Sequence, residues 1–282
     1  MDKKIVSRPL NLPPFRGRIA ATAATPSFLA AISDCRKLLA GPAAEILLDS
    51  RNRVGAVSIP LQGGMARAVV IKEYYSYGID KFKSLFQASK AAKAWRGACA
   101  LLERGLETPY PLAWMEERKR GFVAQSFFLS ERIIGGREIR HLWMELPDDE
   151  LRRLLAVLAR TLRVCHERGI LHRDLSDGNI LVRKEAGAPG GFHFYFLDTN
   201  RIRIRPRKKI GLPARAKNLI RLGIPPAHRL YFLGQYAGRR GESPSPVFVF
   251  WYRLNKTVFT GYLGLKKKLK LKKLARALRI QS

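Results

Sequence analysis

The sequence predicts an α+β protein of two lobes, a small β-rich N-terminal lobe and a mainly helical C-terminal lobe. Three observations carry this. Short apolar runs separated by turn-forming residues fill Glu45 to Tyr75. A strongly amphipathic helix pattern occupies Asp148 to Arg168 and leads into a hairpin pattern. Beyond Asp198, prolines divide the chain into helix-sized pieces.

The apolar runs are Ile46-Leu47-Leu48, Val54 to Ile59 and Ala68 to Ile71. Asp49 to Arg53 and Gln62-Gly63-Gly64 lie between them, so an antiparallel meander is expected. Ser84 to Arg104 reads as a helix ended by Gly105 and followed by Thr108-Pro109 and Pro111. Phe122 to Leu129 is a further strand. In the helix over Asp148 to Arg168, Asp148, Asp149 and Glu150 sit at the positive N-terminus. Leu151, Leu154, Leu155, Leu158, Leu162 and Cys165 share one face, and Gly169 supplies the stop. Ile180 to Val182, the glycine-rich turn Gly187 to Gly191 and Phe192 to Leu197 make the hairpin. Two or three helices follow, broken at Pro213, at Pro225-Pro226, and at Pro244 with Pro246. Near the N-terminus, Arg16 and Arg18 before Ile19 to Ala31 superficially resemble a secretory signal. The charges lie too far in and Pro26 interrupts the apolar run, so a short packed or loosely ordered segment is expected. The organisation is then an N-terminal extension over 1–44, a β-rich lobe over 45–128, a helical lobe over 129–262 and a basic tail over 263–282.

Composition narrows the function. The 282 residues carry 53 Lys and Arg against 22 Asp and Glu, a formal charge of +31. Residues 199–282 hold 22 of those cations against the single acid Glu242, a surplus of 21. An anionic partner is implied: a membrane surface, a phosphorylated substrate or nucleic acid, with nucleic acid ranked last. No apolar stretch approaches the ~18 residues of a membrane-spanning helix. Cys35, Cys99 and Cys165 are too few and too scattered for a disulfide framework or a zinc site, which points to a reducing compartment. In the tail, Leu271, Leu274 and Leu278 share one helical face while Leu265 and Leu269 fall on another. Lysines interleave them, and a basic helix of this kind reads as a membrane-surface element.

The decisive stretch follows the amphipathic helix: His172-Arg173-Asp174-Leu175-Ser176-Asp177-Gly178-Asn179. It fits H-R-D-L-x-x-x-N, the catalytic loop of protein-kinase-like enzymes. In that chemistry the Asp, here Asp174, accepts the proton of the attacking hydroxyl. The Asn five residues on, Asn179, turns back to hold a metal ion. His172 and Arg173 are expected to hold the loop in shape. Asp198 ends the far arm of the hairpin and stands where kinases place a second metal ligand, though the usual D-F-G is here Asp198-Thr199-Asn200. Lys72, in Val69-Val70-Ile71-Lys72, matches the strand lysine that pairs the α- and β-phosphates. Asp49 to Gly55 falls where the phosphate-covering turn belongs. It lacks G-x-G-x-x-G, so Arg51, Asn52, Arg53 and Gly55 are the nucleotide-facing candidates, with an ordinary hairpin turn as the alternative.

Together these pieces resemble the lipopolysaccharide kinase family, which phosphorylates heptose or Kdo sugars of the inner core. The resemblance rests on Val70-Ile71-Lys72, on Trp95-Arg96 followed by Gly105 to Pro109, and on Leu171 to Leu181. Leu197-Asp198 with Asn200-Arg201, and Phe232-Leu233 with Tyr236, continue it. It implies a bilobal protein-kinase-like fold, ATP with Mg²⁺, and a lipopolysaccharide core or related anionic glycolipid as acceptor. It also implies a cytoplasmic location, peripheral to the inner membrane. Asp174 is then the general base, Asn179 and Asp198 the Mg²⁺ ligands and Lys72 the phosphate clamp. One departure stands out. The family tends to place a glutamate partner for the strand lysine just before the Trp-Arg pair, and here that position is Ala94, with Glu73 and Glu103 as the other acids nearby. An atypical Ser/Thr protein kinase and a pseudokinase or anionic-surface binding module are the competing readings. No A-P-E follows Asp198, which weighs against the first, and the intact Asp174, Asn179 and Asp198 weigh against the second.

Overall fold

The computed structural model describes residues 4–50, 52–60, 66–75, 78–205, 210–237 and 244–279. The chain divides into two compact units. One comprises Met1–Glu138 with Asn179–Ile204, the other Ile139–Gly178 with Arg205–Ser282. In chain order the elements begin with β1 (Ser7–Leu12), β2 (Phe15–Ala20), α1 (Pro26–Ile32) and α2 (Cys35–Ala40). Then come β3 (Glu45–Asp49), β4 (Asn52–Pro60), β5 (Ala66–Tyr74), α3 (Ile79–Lys83), α4 (Lys90–Leu102), β6 (Pro111–Lys119), β7 (Phe122–Glu131) and β8 (Arg137–Glu138). The remainder is α5 (Ile139–Glu145), α6 (Asp148–Glu167), β9 (Ile170–His172), β10 (Ile180–Lys184), β11 (Phe192–Phe196), β12 (Ile202–Ile204), α7 (Leu212–Leu219), α8 (Arg229–Ala237) and α9 (Pro246–Arg279). Among these described residues no helix is long and apolar enough to cross a membrane.

The first unit is built on a seven-stranded antiparallel sheet of order β1-β2-β6-β7-β5-β4-β3. The expected meander is β3, β4 and β5. Because side chains alternate across a strand, β5 divides its residues between two faces. Val69, Ile71 and Glu73 face a core that includes Phe28 and Ile32 of α1 and Leu39 of α2. Lys72 and Tyr74 face the other way, where Ala91 and Ala94 of α4 pack against Tyr74. Of the expected helix over Ser84 to Arg104, Lys90–Leu102 is helical (α4), while residues 84–89 form a turn between α3 and α4. Ser84 is buried and its hydroxyl receives the Val123 amide at 3.0 Å, while Ser89 caps α4 by accepting from the Ala92 amide at 3.1 Å.

The N-terminal segment differs most from expectation. It supplies two sheet strands and the two helices that cover one sheet face. Pro26, read in the sequence as interrupting an apolar run, stands at the first helical position of α1, and Thr25 Oγ1 accepts from the Phe28 amide at 3.3 Å. Exposed Arg16 and Arg18 alternate with buried Phe15 and Ile19, so β2 is a strand with one wet face.

The hairpin expected from the sequence is β10 and β11, paired from Ile180 opposite Phe196 to Lys184 opposite Phe192. In the second unit α6 buries its predicted stripe and packs on α8, and α7 packs on α9. Gly169 takes a positive φ of 75° where the Arg205 backbone leaves no room for a Cβ. The basic tail is expected over 263–282, and its described residues 263–279 are helical. These residues belong to α9, a single helix of 34 residues that is about 50 Å long. Pro246 opens this helix, a position where proline costs no hydrogen bond.

Candidate active site

In the first unit, Lys72 lies on β5 opposite Val54 of β4 and Phe128 of β7, so its backbone is fixed on both sides. Its ammonium donates to Asp198 Oδ1 at 2.5 Å, and each side chain is 20% exposed. It also lies 5.1 Å from the Tyr74 ring centroid, a cation–π contact on the same face. The Tyr74 hydroxyl is pushed well above its ordinary range, by burial first and then by the Asp198 carboxylate, with a hydrogen bond from Asn200 acting in the opposite sense.

Asp198 is set by the hairpin. The Leu197 amide donates to the Asn179 carbonyl at 2.9 Å, which extends the β10–β11 ladder by one step. Asn179 and Asp198 are therefore placed just beyond the two paired arms of one hairpin. Asp198 itself adopts a left-handed conformation, φ 51° and ψ 47°, which is uncommon for a residue with a Cβ and turns the chain sharply. The next residue anchors the turn: Thr199 Oγ1 donates to the Ala94 carbonyl at 2.7 Å. Gly97, one helical turn further on, has no space for a Cβ because the Thr199 carbonyl already occupies it.

These contacts account for the missing glutamate. Ala94 is 1% exposed, packed beneath Tyr74, with its carbonyl engaged by Thr199. Glu73 faces the opposite side of the sheet, where its carboxylate accepts from Arg36 Nε at 2.8 Å, Gln125 Nε2 at 2.9 Å and the Tyr75 hydroxyl at 2.9 Å. Glu103 is exposed at the C-terminal end of α4. The lysine's partner is thus Asp198 itself.

The phosphate-covering candidates fall on and beside β4. Asn52, Arg53 and Gly55 belong to β4, paired with Tyr74, Glu73 and Ile71 respectively. Asn52 shares the face of Lys72, whereas Arg53 and Gly55 share the face of Glu73. Gly55 is glycine for a packing reason, since a Cβ there would lie 2.7 Å from Leu39 Cδ2 of α2. Arg51 lies outside the described residues.

The same unit offers a test of whether a metal–nucleotide group suits these residues. Asn200 Oδ1 is buried without a hydrogen-bond partner, two residues from the Asp198 carboxylate. The Asn200 side chain bonds the Tyr74 hydroxyl, and an unpartnered acceptor oxygen, a carboxylate and a lysine in one turn-and-strand assembly are a donor set that fits a hard divalent cation and phosphate.

In the second unit, Asp174 sits on a loop with several restraints. The Asp174 amide donates to His172 Nδ1 at 3.3 Å, and His172 is 2% exposed. Leu175 is fully buried, and the Ser176 amide donates to the Asp174 carbonyl at 2.8 Å. Arg173 is exposed. Two participants escaped the sequence reading. Asn218 of α7 donates from Nδ2 to the His172 carbonyl at 2.7 Å, and its Oδ1 lies 2.8 Å from His166 Nε2. His166 Nδ1 in turn lies 2.5 Å from the Tyr236 hydroxyl, and Tyr236 stacks on Phe248 at 5.2 Å. One assignment satisfies every group: Tyr236 donates to His166, His166 to Asn218, and Asn218 to the loop. Arg221, the second, donates from Nη1 to Asp174 Oδ1.

A family model described as the lipopolysaccharide kinase (Kdo/WaaP) family matches residues 63–224. That span includes Lys72, Ala94, Asp174, Asn179, Asp198, Asn218 and Arg221, and excludes Arg51 to Gly55. Among solved structures, a chain described as "WaaP in complex with acyl carrier protein" aligns with a TM-score of 0.52 at 19% identity, covering 76% of this chain and 87% of that one. At that identity the likeness bears on the fold: an antiparallel N-terminal sheet followed by a helical C-terminal part.

Proposed function

The chain belongs to the lipopolysaccharide kinase (Kdo/WaaP) family, a family of phosphotransferases acting on sugar hydroxyls, and on that premise we propose that it transfers the γ-phosphate of ATP to a Kdo or heptose hydroxyl of the inner core at the cytoplasmic face of the inner membrane. The observation that carries this reading is the Lys72–Asp198 pair, set beside Asn179 by the β10–β11 hairpin.

Lys72 holds the nucleotide phosphates, and Asp198 and Asn179 hold Mg²⁺. The cation supplies charge neutralisation on the phosphates when bound. Asp174 orients the sugar hydroxyl and takes its proton. The His166–Asn218 relay fixes the carbonyl of His172, two residues before Asp174, so the base sits on a preset backbone. Positioning and preset charge provide the rate, without a covalent intermediate on the protein.

The acceptor is lipid-borne, and α9 supports a membrane contact. Val247, Phe250, Leu254, Val258, Tyr262, Leu265 and Leu269 are all exposed and recur at helical spacing along one stripe. Exposed Lys266, Lys267 and Lys268 accompany it. An apolar stripe with a basic flank suits an anionic bilayer.

The test is transfer itself. Purified protein is incubated with γ-labelled ATP, Mg²⁺ and deacylated inner-core saccharides ending in Kdo or in heptose, and the phosphate is located by mass spectrometry. Labelled sugar that disappears in Asp174→Asn and Asp198→Asn supports the reading. No label on any acceptor, while a control sugar kinase labels its own, overturns it.

A further inference from the structure

We propose that Arg221 is an acceptor-binding residue: its guanidinium takes an anionic group, carboxylate or phosphate, carried by the sugar beside the hydroxyl to be phosphorylated. The inference rests on the reading of Asp174 as the base.

Arg221 stands on the turn after α7, and that turn is fixed from two directions. Lys256 of α9 donates to the carbonyls on either side of Arg221, to Ile220 at 2.6 Å and to Leu222 at 3.2 Å. The Gly223 amide donates to both carboxylate oxygens of Asp177, at 2.8 and 2.9 Å, so the catalytic loop itself grips the turn. Gly223 must be glycine because a Cβ would collide with that carboxylate. Leu222 and Ile224 are buried. A lysine spent on two backbone carbonyls, half-buried and with its pKa lowered by burial first, then by Arg229, is an investment in the shape of this turn.

The side chain on this rigid mount is 39% exposed. Phe259 of α9 flanks it, 5.7 Å from ring centroid to guanidinium carbon. A guanidinium has five donors in a planar fork matched to carboxylate and phosphate. In this structure one of them goes to Asp174 Oδ1, an oxygen the base needs for the sugar hydroxyl. The two demands on that oxygen are reconciled if the acceptor's own anion draws the fork away from Asp174. Oδ1 is then released in step with the arrival of a correctly charged sugar, and an uncharged hydroxyl has to compete with Arg221 for it.

The experiment compares three deacylated inner-core acceptors: intact, carboxyl-reduced and dephosphorylated. For each, kcat/KM is measured with wild type, Arg221→Ala and Arg221→Lys, and the dissociation constant is measured by calorimetry without nucleotide. Wild type should prefer the intact acceptor over the analogue lacking the bound anion by about 10- to 100-fold, the worth of one charge-assisted hydrogen-bonded pair. Whichever analogue loses the preference identifies the anion. Arg221→Ala should remove most of that preference and weaken nucleotide-free binding of the intact acceptor about tenfold or more, with Arg221→Lys between. Because the preference is a ratio, partial misfolding leaves it readable. The proposal is overturned if Arg221→Ala lowers all three acceptors by one factor, which is the mark of a residue that only positions Asp174, or if wild type shows no preference. Should wild type transfer no phosphate to anything, the kinase reading fails, and the nucleotide-free constants still decide for or against Arg221.

Discussion

Lys72 Nζ meets Asp198 Oδ1 at 2.5 Å, while the helix position at which a glutamate partner is expected is Ala94, whose carbonyl is bound by Thr199. Lysine, metal-ligand candidate and helix are thus joined as one assembly: Lys72 to Asp198, Asp198 to Thr199 through the chain, Thr199 to α4. Lys72→Met and Asp198→Asn should each lower kcat/KM by about 100- to 1000-fold. Groups that act as a unit are not additive, so the double variant should fall little further than either single one. A double loss equal to the product of the singles, in steady-state rates, would show independent roles.

Restoring the acid should harm the protein. Ala94→Glu puts a carboxylate at a position 1% exposed, packed against Tyr74 and Ala91. Overpacking and burial of an unpaired charge should cost roughly 2–4 kcal/mol, read as a lower urea midpoint. An increase in both stability and activity would mean that Lys72 exchanges Asp198 for a helix glutamate when one is offered.

Glycine-to-alanine changes in two helices should have opposite signs. In α9 a Cβ at Gly264 meets nothing within 4 Å, so Gly264→Ala should stabilise by ~0.5–1 kcal/mol. Gly97→Ala in α4 would strike the Thr199 carbonyl and should destabilise by about 1–3 kcal/mol. It should also lower turnover, because Asp198 is the residue before Thr199. Chemical denaturation of the two variants side by side checks the contrast.

Stability should fall between neutral and mildly acid pH through His166. Burial pushes this imidazole down to about 4, outweighing the Asn218 hydrogen bond that raises it. Its unfolded value is near 6.5, so the unfolded chain binds the extra proton in that interval. The contribution is complete above pH 6.5 and is lost as pH falls toward 4, by on the order of 3 kcal/mol over the range. His166→Gln, measured by urea unfolding at pH 7, 6 and 5, should be less stable at pH 7 and show a flatter profile. An unchanged slope would place the acid sensitivity elsewhere.

Charge on the α9 stripe should weaken membrane contact. Val258→Glu and Leu265→Glu replace exposed apolar side chains, 65% and 58% accessible. Each should reduce co-sedimentation with phosphatidylglycerol vesicles by about tenfold, and rising salt should weaken the wild type as well. Equal wild-type binding to zwitterionic vesicles would remove the electrostatic part of this reading.

The elements legible in the sequence are those whose signals are local. The stripe of α6, the β10–β11 hairpin and the run from His172 to Asn179 each lie within a single stretch, where period and spacing are visible. What escaped depends on residues far apart. Arg221 reaches Asp174 across 47 positions, and Asn218 reaches His172 across 46. The packing of Leu39 of α2 against Gly55 likewise joins residues far apart in the chain. Pro26 and Pro246 read as interruptions because a proline that starts a helix and one that ends it are the same letter. The tail, read as an appendage, is the far end of a helix whose near end is buried by Phe248 and Tyr252.

The pairing of β2 with β6 has a consequence in time. Phe15–Ala20 bonds to a strand that begins only at Pro111. A ribosome adding ~5–20 residues per second delivers the partner roughly 5–20 s after the first hairpin has left it. Through that interval β2 lacks the strand it pairs with, while α1, α2 and the strands β3, β4 and β5 are being made. The pairing of β2 with β6 is thus possible only well after β2 has been made, and the speed of translation through β3, β4, β5 and α4 sets that delay.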